Sequence, residues 1–370
     1  MKILNIITDL AMGGTEITLE KIILNDKGNE HIIICLNDSS PIGERLSENK
    51  IKLIDLKINN IFSGFIAVYK IFLFLIENKN INVVQGWMYH GNFVAFLVNL
   101  FLRKKLIWNI RQSLDNLSVE KKTTQNVILI SKFLSNSKLL NKIIYNSAKA
   151  KEDHEKMGFV NHKSQIIFNG YLTSDFEKEH NHKICFLNEN KLPLDTILVG
   201  HIARLHPVKD HVNFILTAKK LLTHKKNFFF IMIGREVNSK KIKNILYNLN
   251  IAKNFILISE KKRTSDYFKI FDLTVNSSWA EAFPNVVAES ILFKTPCFAT
   301  KVGDASRILD FNDAFLAEPR NPLILSNKIL NYINLNNDEK NEAMNKIYKN
   351  LTKKFTIEIL IKNYNQAYLN

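Results

Sequence analysis

Short runs of apolar and β-branched residues alternate with helix-period stretches along most of this 370-residue chain. In the first half, strands are expected at residues 2–8, 31–36, 51–56, 81–86, 105–110, 126–130, 142–147 and 164–170. Helical spacing fills 63–77, 90–102 and 148–157 between them. From Leu172 to Leu194 the pattern breaks into a polar, charged stretch that reads as a connection. A second series follows, with strands expected at 196–203, 227–234, 254–259, 273–278, 296–300 and 314–318, and a polar, helical end from Asn321 onward. Strands alternating with helices predict an α/β protein built on parallel sheets. A chain this long exceeds one ordinary core, so two domains are expected.

Ligands of open parallel sheets bind beyond the carboxyl ends of the strands, so candidate chemistry is sought there. The stretch EAFPNVVAES, residues 281–290, sets Glu281 and Glu289 eight positions apart. Proline suits the first turn of a helix, where its missing N–H would have no partner. A helix is therefore expected to start at Phe283-Pro284-Asn285, with Val286 to Leu292 as its buried body. Glu281 then lies in the preceding loop and Glu289 just over one turn inside. The N–H groups of such a start suit an anion. Acidic residues at a helix start are also favoured by the dipole alone, and on these ten residues both readings stand.

The stretch GHIARLHPVKDH (200–211) places Arg204 and Lys209 after the first strand of the second series. A forked guanidinium and a compact ammonium together suit a diphosphate, although loop cations are more often merely solvated. FILISEKKRTSDYF (255–268) supplies another strand end. Carboxylates beside a diphosphate would repel it, which matches Glu281 and Glu289 to the neutral hydroxyls of a sugar or ribose. In the first half, Gly13-Gly14 precedes a helix expected to begin at Thr15 or Glu16 and lets the backbone approach a ligand. It is neither a dinucleotide fingerprint nor a phosphate loop. Trp87 and His90 follow one strand in QGWMYHGN, and Arg111 follows the next.

Composition narrows the class. A 46% hydrophobic share without a low-complexity tract is that of a globular protein. Cys35, Cys185 and Cys297 form no C-x-x-C spacing, so a reduced, cytoplasmic protein is expected. Asp9 interrupts the apolar N-terminus, which reads as a strand rather than a signal peptide. The most apolar helix candidate, 92–102, would rise only about 17 Å, against a bilayer core of about 30 Å, so no span is expected. The net charge of +16 favours an anionic partner. Its basic residues are scattered without a nucleic-acid module, so no nucleic acid is expected.

Taken in order, these motifs resemble the retaining GT-B glycosyltransferases of family 4, the glycosyl transferases group 1 class, especially members that build bacterial surface polysaccharides. Gly13-Gly14-Thr15-Glu16 is similar to the family's Gly-Gly-x-Glu loop, and GWMYHGN and IRQS to its polysaccharide branch. The approach to the hinge, IIFNGYLTSDF, the Arg-x-x-Pro-x-Lys-x-His loop at 204–211 and the E-x7-E motif at 281–289 complete the likeness over nearly the whole chain. Ala282 replaces the usual Gly, Ser259 stands where Gly often precedes Glu-Arg, Tyr171-Leu172 replaces Ile-Asp, and a second Gly at 236 is missing.

The resemblance implies two Rossmann-like domains facing across a cleft. Residues 1–171 would bind acceptor, 172–194 connect, 195–350 bind the nucleotide-sugar donor, and 351–370 form a helix packing back on the first domain. Donor contacts are implied at Gly14, Arg204, Lys209, Lys261, Glu281, Phe283, Asn285, Val286 and Glu289. Catalytic roles are implied for His90, Arg204, Lys209 and Glu281, and acceptor contacts for Thr15, Trp87, His90 and Arg111. The donor would be UDP- or GDP-linked, with no metal or cofactor. The acceptor would be a saccharide on a lipid carrier, met by a peripheral protein at the anionic inner face of the cytoplasmic membrane. A nucleotide-sugar epimerase of the same fold would turn over without an acceptor, and an inactive scaffold would not turn over at all.

Overall fold

The computed structural model describes residues 1–58, 61–115, 117, 120–172, 181–224, 227–259 and 265–369. They divide into two units, Met1–Tyr171 with Phe355–Asn370, and Leu172–Lys354. The first unit runs β1 (Lys2–Ile7), α1 (Gly14–Asn25), β2 (Glu30–Cys35), α2 (Ile42–Glu48), β3 (Lys52–Asp55), α3 (Ile61–Glu77) and β4 (Val83–Trp87). It continues through α4 (Met88–Leu102), β5 (Lys105–Ile110), α5 (Lys122–Ser135), β6 (Leu140–Tyr145), α6 (Ala148–Met157) and β7 (Ser164–Ile166). The second unit runs α7 (Asn181–Glu189), β8 (Ile197–Ile202), α8 (His211–Leu221), β9 (Phe228–Ile233), α9 (Lys240–Asn248), β10 (Phe255–Ile258) and α10 (Ser265–Phe268). After these come β11 (Leu273–Asn276), α11 (Asn285–Leu292), β12 (Cys297–Thr300), α12 (Ala305–Ile308), β13 (Leu316–Ala317), α13 (Pro322–Asn334) and α14 (Asn337–Lys354). The last helix, α15 (Ile357–Leu369), belongs to the first unit.

Among the described residues the first sheet has the order β3-β2-β1-β4-β5-β6-β7 and the second β10-β9-β8-β11-β12-β13, all pairs parallel. Strands covered on both faces read as continuous apolar runs, and β9, FFFIMI, is buried at every position. In each sheet the order reverses once, between β1 and β4 and between β8 and β11. Ligands of such sheets bind at that switch point, and the loops after these strands carry most of the candidate residues.

Three segments depart from the sequence reading. Residues 126–130 lie inside α5 and are not a strand. An apolar run of five cannot be assigned by period alone. Here Ile128, Ser131 and Ser135 form one buried helical stripe, and neither Gly nor Pro interrupts it. The strand expected over 164–170 ends at Ile166. Within the polar stretch 172–194, α7 forms and Leu187 is buried in the second unit's core beside Phe268 and Phe271.

Candidate functional site

In the second unit, the loops after β8 and β11 converge on one carboxylate. Glu281 Oε1 accepts from Lys209 Nζ at 2.5 Å and from Ser278 Oγ at 2.7 Å. Lys209 ends a 3-10 turn, Pro207–Lys209, which His206 caps through its side chain. Glu281 lies in the loop that feeds α11, whose N-cap, Pro284, is extended and contributes no capping side chain. Glu289 stands at the fifth position of α11 and is half-buried. Phe283 is buried, and Val286 packs its side chain against the core cluster. Asn285 is the first residue of the helix. Arg204 is exposed, with no ion pair or hydrogen bond among the described residues. Lys261 lies outside the described residues.

The loop carrying Lys209 is fastened from beneath by residues that the sequence reading did not single out. Ser277 Oγ bonds the carbonyls of Lys209 and Asp210, each at 3.0 Å. Its oxygen can then accept from His201 Nε2, 3.0 Å away. Trp279 donates its backbone N–H to Val208 O at 2.8 Å and its indole N–H to Pro207 O at 2.9 Å. The Arg320 guanidinium lies 4.9 Å above the same indole. His211 Nε2 bonds Ala203 O at 3.3 Å. Burial holds the His201 imidazole well below its ordinary pKa and brings His211 to about 4, so both are neutral at pH 7. Two buried neutral imidazoles thus position a charged loop without adding charge beneath it.

The Glu281 loop is held in turn by Gly303. Its φ of +54° is left-handed, and a Cβ there would stand 2.5 Å from Glu281 O. Asp304 N also donates to Ala282 O at 2.9 Å. Gly303→Ala should therefore displace the Glu281 loop as well as strain residue 303, at about 1–2 kcal/mol for the left-handed conformation alone. A lowered melting temperature is expected, and an unchanged one would show that this contact does not set the loop. Position 236, where the second Gly is missing, has Glu236 at φ 64°, so the left-handed turn persists without glycine.

In the first unit, Gly14 is the first residue of α1 and is exposed, and Thr15 is half-buried behind it. The Glu16 carboxylate fills the space that a Cβ on Gly13 would need, as a third-position acid folding back on its helix start does. Gly91 presses α4 onto β1, where a Cβ would meet Ile6 O at 2.5 Å. His90 thereby sits in the first turn of α4, half-buried, with its pKa lowered by desolvation. Trp87 is wholly buried, donating to Asn5 Oδ1 at 3.1 Å and stacked on Tyr364 at 6.0 Å. It backs Arg111, whose guanidinium lies 5.7 Å from its ring and donates to Asn169 Oδ1. Burial disfavours the Arg111 charge, yet a guanidinium stays protonated. Asn169 and Tyr364 stand 58 and 253 positions from Arg111 in the chain, which is why no local spacing announced this cluster.

Residues 186–351 match the family model described as glycosyl transferases group 1. An uncharacterized glycosyltransferase of Methanocaldococcus jannaschii is 30% identical over 145 residues, covering 38% of this chain and 40% of that one. The putative glycosyltransferase EpsF of Bacillus subtilis is 25% identical over 103 residues, covering 28% of this chain and 27% of that one. The matches thus span two fifths or less of these curated relatives. The crystal structure of Anabaena HepE in complex with UDP and glucose aligns over 99% of both chains, with a TM-score of 0.84 at 17% identity. The chain therefore has the two-domain GT-B fold over its whole length, and its residues 186–351 are similar to the glycosyl transferases group 1 model.

Proposed function

We propose that the protein is a retaining, metal-independent glycosyltransferase that moves a sugar from a nucleotide-sugar donor to a saccharide acceptor. The observation that carries this reading is the sharing of Glu281 Oε1 between Lys209 and Ser278, in the loop leading to the uncapped start of α11. Here Glu281 reaches hydroxyls of the transferred sugar, Glu289 binds the ribose hydroxyls, and the first turn of α11 underlies the diphosphate. As the bond from the anomeric carbon to phosphate breaks, negative charge grows on the leaving oxygen, and Arg204 and Lys209 meet it. An ammonium has three N–H groups, so Lys209 can keep Glu281 while donating to the phosphate. Among the described residues no carboxylate stands out as a nucleophile, which favours attack by the acceptor hydroxyl on the same face within an ion pair. Its proton passes to the departing diphosphate or to neutral His90. The UDP complex of HepE supports a UDP-linked donor.

In this reading the acceptor is a lipid-linked saccharide used in bacterial surface polysaccharide synthesis. The protein meets it as a peripheral protein on an anionic cytoplasmic membrane surface, as the net charge of +16 supports. Glu289→Ala tests the donor assignment directly. Ribose contacts are shared by ground and transition states, so the variant should raise the donor Michaelis constant and leave kcat nearly unchanged. A charged hydrogen bond contributes about 1.5–3 kcal/mol, so the loss should be about tenfold to a hundredfold. If free nucleoside diphosphate bound the variant as tightly as the wild type, Glu289 would not be a ribose ligand.

A further inference from the structure

The helix α3 carries apolar residues on both its sides, although one side alone is covered. Ala67, Phe74 and Leu75 are buried, and Lys52 Nζ lies 5.3 Å from the centroid of the Phe74 ring. Outward stand Ile66, Val68, Tyr69, Phe72, Leu73 and Ile76, with Tyr69 at 62% exposure. A helix that is hydrophobic all round is normally buried, so the outer stripe lacks the apolar phase that its composition matches. The crossovers from β3 to β4, β4 to β5 and β5 to β6 all advance in one direction along the sheet. Right-handed connection then puts α3, α4 and α5 on one face, and α4 packs against α5. These two helices add Phe101 and Phe133, exposed at 77% and 76%, together with Leu97, Leu100, Leu129 and Ile130. Apolar exposure of this extent marks an interaction surface.

From this arrangement we infer that the α3–α4–α5 face seats in the interface of an anionic lipid bilayer. Charge selects that occupant. Lys70 lies on α3, Arg103 and Lys104 follow α4, and Lys121 and Lys122 open α5, all exposed. Against them α3 carries one acidic residue, Glu77. A second copy would bring the same cations to the same face, and a chain of net charge +16 repels its own kind. Among the described residues no helix is long and apolar enough to cross a membrane, so the face lies in the surface rather than spanning it. The inference rests on the membrane part of the proposed function and is independent of the sugar-transfer chemistry. It also changes the expected salt response. Binding through charge alone is released in high salt, whereas a seat made of aromatic and aliphatic side chains persists.

Flotation with vesicles of phosphatidylglycerol and phosphatidylethanolamine, and with phosphatidylcholine alone, tests this. The wild type should float with the anionic vesicles and stay partly bound in high salt. The variants Tyr69→Ser with Phe72→Ser, and Phe101→Ser with Phe133→Ser, should each lower partitioning about tenfold or more, as expected for lost aromatic burial. Their melting temperature and hydrolysis of the nucleotide-sugar donor should be unchanged, because all four side chains are exposed and none belongs to the proposed site. Wild-type partitioning by both variants would overturn the surface assignment while leaving the transferase reading intact. Wild-type self-association in sedimentation that the variants abolish, without vesicle binding, would assign the face to a second copy instead. Complete release of the wild type in high salt would overturn the apolar seat.

Discussion

Arg204→Ala is expected to slow turnover about 100- to 1,000-fold, the usual cost of removing one preorganised donor to a developing anion. Arg204 is exposed and has no partner among the described residues, so the melting temperature should not move. Lys209→Ala should reduce kcat to a similar extent, with an additional cost. It strips Glu281 of the ammonium held at 2.5 Å, in a pair that is partly screened by solvent. That loss should be near the upper end of the exposed range, about 1 kcal/mol. Because the charge on the leaving oxygen grows towards the transition state, kcat should fall more than donor affinity in both variants. Lys209→Arg separates the two roles, since it keeps a charge for the phosphate but presents it in a planar fork that does not reproduce the Glu281 geometry. Full turnover in both alanine variants, with the fold intact, would eliminate the proposed diphosphate site.

The parts of the site legible in the sequence were those encoded over a few residues. The start of α11 follows from Pro284 and the apolar run behind it, and the structure begins that helix at Asn285. The alternation of strands and helices gives two parallel α/β sheets, because buried strands such as β9, FFFIMI, are short continuous apolar runs, whereas crossover helices such as α6 and α9 interleave apolar and charged positions. What failed was the run NVILI, too short to show a period, which is wound into α5. What could not be seen was the underpinning. Ser277, Trp279 and His201 act on the Lys209 loop from 68 or more positions away or from beneath it. Gly303 acts on Glu281 across β12. A glycine directly after a strand was the one local signal for that contact, and it reads equally well as an ordinary turn. The aromatic face of α3 had a plain signal, since a 17-residue helix with one lysine and one glutamate is too apolar for a helix with an exposed side.

Stability should fall as the pH drops from about 6.5 towards about 4, starting above the range in which carboxylates dominate acid unfolding. The cause is a set of buried, neutral histidines in both units. In the first, His154 Nδ1 donates to Ala150 O at 2.7 Å and Nε2 accepts from Tyr89 Oη at 2.9 Å, so each ring nitrogen is used by the neutral tautomer. The rings of Tyr145 and Phe159 pack around it, and burial lowers its pKa to about 4. In the second unit His211 is likewise lowered to about 4 and His201 well below its ordinary value, both by desolvation. A folded pKa below the unfolded one means that the unfolded chain takes up the proton first. The associated stability is complete above about 6.5 and is lost as the pH falls towards the folded value. A gap from about 6.5 to about 4 corresponds to about 3 kcal/mol per histidine, a large part of a typical folding free energy of about 5–15 kcal/mol. Denaturant titrations at neutral pH and at about pH 5 should therefore give clearly separated midpoints for the wild type. His154→Gln should be less stable at neutral pH but should lose less on acidification, because glutamine binds no proton in either state. An equal acid shift in wild type and variant would remove His154 from the account and leave the pH dependence to the second unit's pair.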